Sequence, residues 1–488
     1  VNDWWRNAVV YQVYPRSFAD GNGDGTGDLA GLRGKLGYLH RLGVDAIWLS
    51  PFFTSPLNDG GYDVSDYRDV DPRFGSLADF DTMIKEAHGL GIKVIIDLVP
   101  NHTSSEHPWF QAGLRDRYIF RPGAADGGPP NDWQSIFGGP AWTQVEDGSW
   151  YLHLFDPTQP DLNWENPVVW QEFRDILRFW LERGVDGFRI DVAHGMIKAD
   201  GLPSVGGAGR QVELLGHQRL PYFDQDGVHE IYRDWRPILD SYGAMAVAEA
   251  WVESPQRLAR YIGQDELHQA FNFDFMMASF DAASFRATID GSLSAAEVVG
   301  APTTWVLSNH DKFRHVTRYG SLDRARAATL LMLALPGSAY LYNGEELGLD
   351  EVLDLPDELR EDPSFRRTGE SRDGCRVPLP WGASEAWVNP WLPQPAHWAS
   401  LTAEVQEDDP SSTLNFYRAA IKLRAVLAGD LEWLAAPEGV LRFRRGRHEV
   451  VINVSGDPVQ LEGMVLISSA PLGQDGTLPP ATTAWLAT

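Results

Sequence analysis

Short apolar runs rich in Val, Ile, Leu and Ala recur along this chain, spaced widely enough to leave room for a helix between them. They fall at residues 9–14, 46–50, 93–99, 187–192, 245–251, 269–275, 303–308 and 338–342. Their near-continuous apolar character, rather than strict alternation, marks strands covered on both faces. Most intervals between them carry a helical spacing of apolar positions, as at 29–42, 77–90, 168–183 and 229–241. Alternating buried strand and helix predicts a parallel sheet, and eight such units predict closure into a (β/α)₈ barrel, so the fold class is α/β.

Three stretches break this rhythm. Residues 101–165, rich in Gly, Pro, Asp and Trp, are far longer than an ordinary strand-to-helix loop and predict a subdomain inserted after the third strand, over the barrel mouth. A second charged insertion runs over 344–410, and a helix at 414–427 completes the barrel. Short strands at 440–444 and 449–454 predict a small antiparallel β domain. The expected domains are therefore a barrel of 1–100 and 166–430, an inserted subdomain of 101–165 and a C-terminal domain of 431–488. A Gly-rich connection at 201–219 shapes a binding site or is simply mobile.

Composition narrows the partners. The formal charge of −27 argues against nucleic acid or an anionic membrane surface and suits a neutral substrate, although solubility alone accounts for such a charge. Nineteen Trp and 15 Tyr supply core residues and, in part, platforms on which sugar rings stack. The single Cys375 excludes an intramolecular disulfide. Val1-Asn2-Asp3-Trp4-Trp5 has neither a basic nor an apolar leader segment, and no run of about eighteen apolar residues occurs, so the expected location is the cytoplasm. A monomer and a homodimer are both compatible with the sequence.

Four segments carry the chemistry: Asp97-Leu98-Val99-Pro100-Asn101-His102, Gly187-Phe188-Arg189-Ile190-Asp191, Val247-Ala248-Glu249-Ala250-Trp251 and Ser308-Asn309-His310-Asp311. Each ends an apolar run in charged or imidazole groups, and in a barrel such ends form the active-site face. Arg189 and Asp191 share a strand face, so the guanidinium is expected to lower the Asp191 pKa and keep a carboxylate nucleophile ionised. Glu249, flanked by apolar residues, is expected to have a raised pKa, which suits a general acid. Asp311, with His310 beside it, offers groups for sugar hydroxyls, and three such carboxylates suit glycosidic bond cleavage. Taken singly, each has a plainer reading: a core ion pair for Arg189 and Asp191, a salt-bridged Glu249, satisfied core histidines at His102 and His310.

Taken in order, the four segments resemble the four signature regions of the α-amylase superfamily, glycoside hydrolase family 13, and the likeness runs from Val9 to the C-terminal β domain. The resemblance implies Asp191 as nucleophile, Glu249 as general acid/base and Asp311 as the carboxylate supporting ring distortion. It implies Arg189, His102 and His310 as residues lining the same sugar subsite. Asp59-Gly60-Gly61-Tyr62-Asp63 resembles the segment that holds the non-reducing glucose, which implies Asp59 and Tyr62. Ser371-Arg372-Asp373-Gly374-Cys375-Arg376 resembles a segment ending in Arg-Thr-Pro, here Arg376-Val377-Pro378, and implies that Arg376 pairs with Asp59 to close the pocket.

Gln159-Pro160-Asp161-Leu162-Asn163 resembles the fifth signature of the oligo-1,6-glucosidase and α-glucosidase branch, and His153-Leu154-Phe155 a segment that gives the pocket an aromatic, Phe155. The implied enzyme is a retaining, exo-acting α-glucosidase taking glucose from short oligosaccharides, with transglucosylation as a competing outcome. Val192, after the nucleophile, goes with α-1,6 cleavage in related enzymes, but Ala193-His194-Gly195 departs from their pattern, and α-1,4 or broad specificity is favoured. An oligo-1,6-glucosidase, a glucosyltransferase or isomerase, and a sucrose-acting enzyme stand as alternatives. A barrel that has lost its chemistry would lack one of the three carboxylates, and a carbohydrate-binding module needs neither them nor this length.

The loop Asp20-Gly21-Asn22-Gly23-Asp24-Gly25-Thr26-Gly27-Asp28 spaces oxygen ligands as in a calcium loop, with Asp20, Asn22, Asp24, Thr26 and Asp28 as candidate ligands and Gly25 at the turn. Gly31 stands where a complete EF-hand has Glu. A structural Ca²⁺ is expected, against the alternative of a Gly-rich turn with solvated acids.

Overall fold

A computed structural model describes residues 3–487. Val1, Asn2 and Thr488, the outermost positions of the expected barrel and C-terminal domains, lie outside the described residues. Eight strands close into a barrel: Val9–Val13, Ala46–Leu49, Lys93–Leu98, Gly187–Ile190, Met245–Ala248, Gln269–Asn272, Thr304–Val306 and Ser338–Tyr342. Every neighbouring pair is parallel and consecutive in the chain, and the first strand closes on the eighth, from Val9 opposite Ala339 to Gln12 opposite Tyr342. The strands are shorter than the apolar pattern suggests. The fifth leaves the sheet at Ala248, one residue before Glu249. The sixth gives way to a helix, Phe273–Met277, whose first turn is capped by the Asn272 side chain accepting from the Phe275 N–H.

The surrounding helices start and stop where their sequences direct. Leu29–Leu42 begins at Asp28, whose carboxylate accepts from the Gly31 N–H, and ends at the left-handed Gly43. Leu77–Gly89 carries a reciprocal capping box between Ser76 and Asp79. Pro167–Glu182 opens with Pro in its first turn, under an Asn166 cap. Their apolar faces pack on the outside of the barrel; Trp180 is fully buried and stacks on Phe53 at 5.0 Å.

Within 101–165 lies a three-stranded antiparallel sheet of Phe120–Pro122, Trp142–Gln144 and Ser149–Leu152. Its apolar residues Trp133, Trp142 and Leu154 share one cluster with Val192, Tyr222 and Phe223, so the insertion packs on the chain that leaves the fourth strand. The 344–410 stretch consists of short turns and two small helices, Phe365–Thr368 and Ala403–Glu407, before the helix Thr413–Leu423. The C-terminal sheet is antiparallel, in the order Glu432–Leu434, Val440–Arg445, His448–Asn453, Thr482–Ala487 and Met464–Ser468. It docks on the barrel helix Leu322–Ala334 through the indole N–H of Trp485, which donates to the Leu330 carbonyl, and the Thr483 hydroxyl, which donates to that of Ala327. Among the described residues, no helix is long and apolar enough to cross a membrane.

Gly337 enters the eighth strand at φ +110°, and a Cβ there would lie 2.1 Å from the Thr303 carbonyl oxygen. Gly337→Ala is expected to destabilise the fold by about 1–3 kcal/mol, since both backbone conformation and space are lost. Urea unfolding should show a lower midpoint at unchanged slope, and an unaltered midpoint would contradict this close approach.

Candidate active site

The C-terminal ends of the strands open into one cavity of about 1160 Å³. Asp59, Tyr62, His102, Phe155, Asp191, Val192, Glu249, His310 and Asp311 line it. Arg189 and Arg376 lie just behind this surface, almost wholly buried. The parallel register sets Arg189 opposite Asp97 on one side and Val247 on the other. Its Nη1 donates to Asp97 Oδ1 at 3.0 Å and to Asp191 Oδ1 at 2.5 Å, and its Nη2 lies 3.6 Å from Glu249 Oε2. Trp48 Nε1–H and the Tyr62 hydroxyl donate to the other Asp97 oxygen at 3.1 and 3.0 Å.

Val192 follows Asp191 with φ +45°, a left-handed conformation that a β-branched residue rarely adopts. The turn aims its N–H at Glu249 Oε2, 2.7 Å away, so the backbone after one carboxylate holds the other in place. On the opposite wall, Gln12 Nε2 donates to His310 Nδ1 at 2.8 Å, which leaves the ring proton on Nε2, 3.3 Å from Asp311 Oδ2. Tyr62 stacks flat on the His310 ring at 5.1 Å.

One end of the cavity is closed. Asp59 accepts from Gln159 Nε2 and from Arg372 Nη2, both at 2.9 Å. This corrects the expected Asp59–Arg376 pair. Arg376 instead donates to the His310 carbonyl at 2.9 Å and lies 3.2 Å from Asp311, which Arg372 also reaches at 3.0 Å. Asp362 completes the Arg372 environment at 2.9 Å. Gly60 is required in the Asp59 turn: at φ +60° a Cβ would come within 2.7 Å of the Tyr14 hydroxyl.

The electrostatics depart from the sequence expectation at Asp191. Burial raises its pKa well above the ordinary 3.8; Arg189 pulls it down, while Glu249, Asp97 and Asp311 push it up. Arg189 lowers it as expected, but burial and the neighbouring carboxylates outweigh that lowering. Glu249 is raised as expected, first by burial, and Asp97 is raised to about 6 for the same reason. Asp311 goes the other way: against its burial, the guanidinium groups of Arg372 and Arg376, at 3.0 and 3.2 Å, hold it well below the carboxylate range. Burial drives the His310 pKa far down and that of His102 to about 4, so both are neutral rings.

A family model, "Alpha amylase, catalytic domain", matches residues 12–428. The chain belongs to the α-amylase family. It is 38% identical to an oligo-1,6-glucosidase of Parageobacillus thermoglucosidasius, over 86% of this chain and 83% of that protein. It is 40% identical to a probable α-glucosidase of Rhizobium meliloti, over 91% and 87% of the two. Among solved structures, an α-glucosyl transfer enzyme, XgtA, superposes with TM-score 0.89 at 38% identity, over 99% of each chain. The trehalulose synthase MutB superposes with TM-score 0.91 at 31% identity, over 99% of this chain and all of that one. The chain is thus a glycoside hydrolase of the α-glucosidase and oligo-1,6-glucosidase branch.

In this α-amylase-family site, several residues escaped the sequence reading. Arg372 was missed because it shares one irregular loop with Arg376, where no periodicity tells which of the two faces Asp59. Trp48 and Gln12 come from strands read only as core. Phe137 and Trp251 add aromatic surface to the lining.

The 20–28 loop lies apart from this cavity. Asp20, Asn22, Asp24 and Asp28 side chains each accept backbone N–H groups within it. Among the described residues, no three His, Cys, Asp or Glu side chains form a metal-holding group, so the carboxylates here do not do so alone. The donor set is nevertheless hard oxygen, and burial, with the charges of Asp20 and Asp24, raises the Asp28 pKa. A divalent cation drawing also on the Asn22 amide and backbone oxygens would relieve that repulsion.

If Asp191 has to ionise before it reacts, its raised pKa sets the acid limb of the pH profile. The kcat/KM of the free enzyme should fall as pH drops through a value above the ordinary 3.8 of an aspartate. An acid limb at or below that value would show that Arg189 outweighs burial.

Proposed function

We propose that this chain is a retaining, exo-acting α-glucosidase that removes α-glucose from the non-reducing end of maltose and short maltooligosaccharides. The observation that carries the reading is the meeting of Asp191 and Glu249 at Arg189, in a cavity whose far end is closed by Asp59 and Arg372. A terminal glucose fits against the closed end, and the rest of the substrate leaves through the mouth.

In this mechanism an Asp191 oxygen attacks the anomeric carbon as the bond to the departing oxygen breaks, and Glu249 gives that oxygen its proton. Glu249, now ionised, takes a proton from water, whose oxygen attacks the same carbon and releases Asp191. Two inversions leave the product in the α configuration. The strained Val192 turn orients Glu249 through both stages. Asp311, held ionised by Arg372 and Arg376, and neutral His310 bind hydroxyls of the distorted ring, with His102 and Tyr62 beside them. A sugar hydroxyl replacing water in the second stage gives transglucosylation, which similarity to an α-glucosyl transfer enzyme supports as a second reading.

The test is product analysis by NMR with maltose, isomaltose, sucrose and soluble starch. We expect α-glucose first from maltose, with starch nearly inert; β-glucose would refute retention, and preference for isomaltose would assign α-1,6 specificity. Asp191→Asn should lose turnover by several orders of magnitude while remaining folded. Glu249→Gln should lose about 10²–10⁴-fold toward maltose and far less toward an activated aryl glucoside. Equal losses on both substrates would remove Glu249 from the acid role.

We also propose that Asp20, Asn22, Asp24, Thr26 and Asp28 hold a structural Ca²⁺. Calcium should then raise the unfolding temperature of chelator-treated protein, and Asp24→Ala should abolish the rise. An unchanged temperature in the parent chain would dismiss the site.

A further inference from the structure

The rim of the cavity is made by connections that follow three different strands, and two of them are fixed to the third. Residues 201–219, after the fourth strand, are pinned to the inserted subdomain. Asp132 accepts from the N–H groups of Val205 and Gly206, both at 2.7 Å. Gln134 and Gln211 each accept the other's backbone N–H at 2.9 Å. The helix Phe365–Thr368, after the eighth strand, is held to the same subdomain by the Arg367–Asp156 pair at 2.6 Å. It also packs on Gly138, where a Cβ would lie 2.9 Å from Thr368 Cγ2.

These two connections meet directly through Arg210 and Glu370. Arg210 Nη1 donates to Glu370 Oε1 at 3.2 Å and Nη2 to Oε2 at 3.5 Å. Both residues line the cavity, and both are exposed on their outer side. The pair bridges the two connections at the rim of the cavity. Glu370 stands two residues before Arg372, which holds Asp59 at the closed end. Arg210 belongs to the connection whose Gly216 and His217 line the same cavity as Trp251 and Val252, which follow Glu249.

We propose that the Arg210–Glu370 pair is a chain-length filter. A disaccharide lies beneath it, whereas a longer chain has to break it to place its third and later rings. This selects against long substrates at the mouth, independently of the chemistry at Asp191 and Glu249, and it rests on the exo-glucosidase reading above. An exposed pair of this kind is weak and screened by salt, so the filter is graded rather than absolute.

The experiment compares kcat/KM for maltotetraose with that for maltose, measured in the same preparation so that active fraction cancels. Arg210→Ala and the nearly isosteric Glu370→Gln should each raise the ratio about three- to fivefold, the range open to an exposed ion pair. The exchange Arg210→Glu with Glu370→Arg should return it to the parent value. About 0.5 M NaCl should raise the ratio in the parent chain but not in either single variant. An unchanged ratio in both single variants, or an exchange that fails to restore it, overturns the filter while leaving the glucosidase reading intact. A parent chain that hydrolyses neither sugar overturns the glucosidase reading, and the filter with it.

Discussion

One buried guanidinium organises this molecule. Arg189 sits in the barrel interior against Asp97, Asp191 and Glu249, with the rings of Trp48 and Tyr62 at 5.2 and 5.5 Å. Such a group is tolerable only while its partners stay in place, because an unpaired charge in that position would be severely destabilising. The partners come from the third, fourth and fifth strands, so the requirement fixes the register of all three. A slip of one residue would turn Arg189 away from the interior. The burial that makes Arg189 indispensable also raises the pKa values of Asp97, Asp191 and Glu249.

Around this rigid floor the site is assembled from less regular parts. The closed end joins Asp59 and Arg372, which are 313 residues apart in the chain. The rim is made of connections after the third, fourth and eighth strands, linked to one another by side-chain amides and ion pairs. The reacting carboxylates thus stand at strand ends, while the rim belongs to the connections, where binding groups commonly lie.

Much of this was legible in the sequence, for a physical reason. A strand buried on both faces leaves a continuous apolar run, and the polar residue that ends it stands out against that background. Asp191, Glu249 and Asp311 were visible in this way, as were all eight barrel strands. What the chain did not display was determined by burial and by irregular backbone. The Asp191 pKa depends on how many carboxylates share Arg189, a property of the assembled barrel. Arg372 and Arg376 are four residues apart on a loop of short turns, and only the folded loop shows which one meets Asp59. The left-handed Val192 carries no signal, since nothing in a valine announces positive φ.

Barrel closure has a consequence for how the chain is made. The partner on one edge of the first strand, Ala46–Leu49, follows soon after it in the chain, but the partner on its other edge is Ser338–Tyr342. At about 5–20 residues per second, translation leaves that edge open for roughly 15–65 s. During this interval Val9–Val13 is an unprotected apolar strand, the kind of edge that recruits neighbouring chains. The nascent enzyme is therefore most prone to aggregation before its last barrel strand emerges, and its yield in a cell depends on what shields its first strand until then.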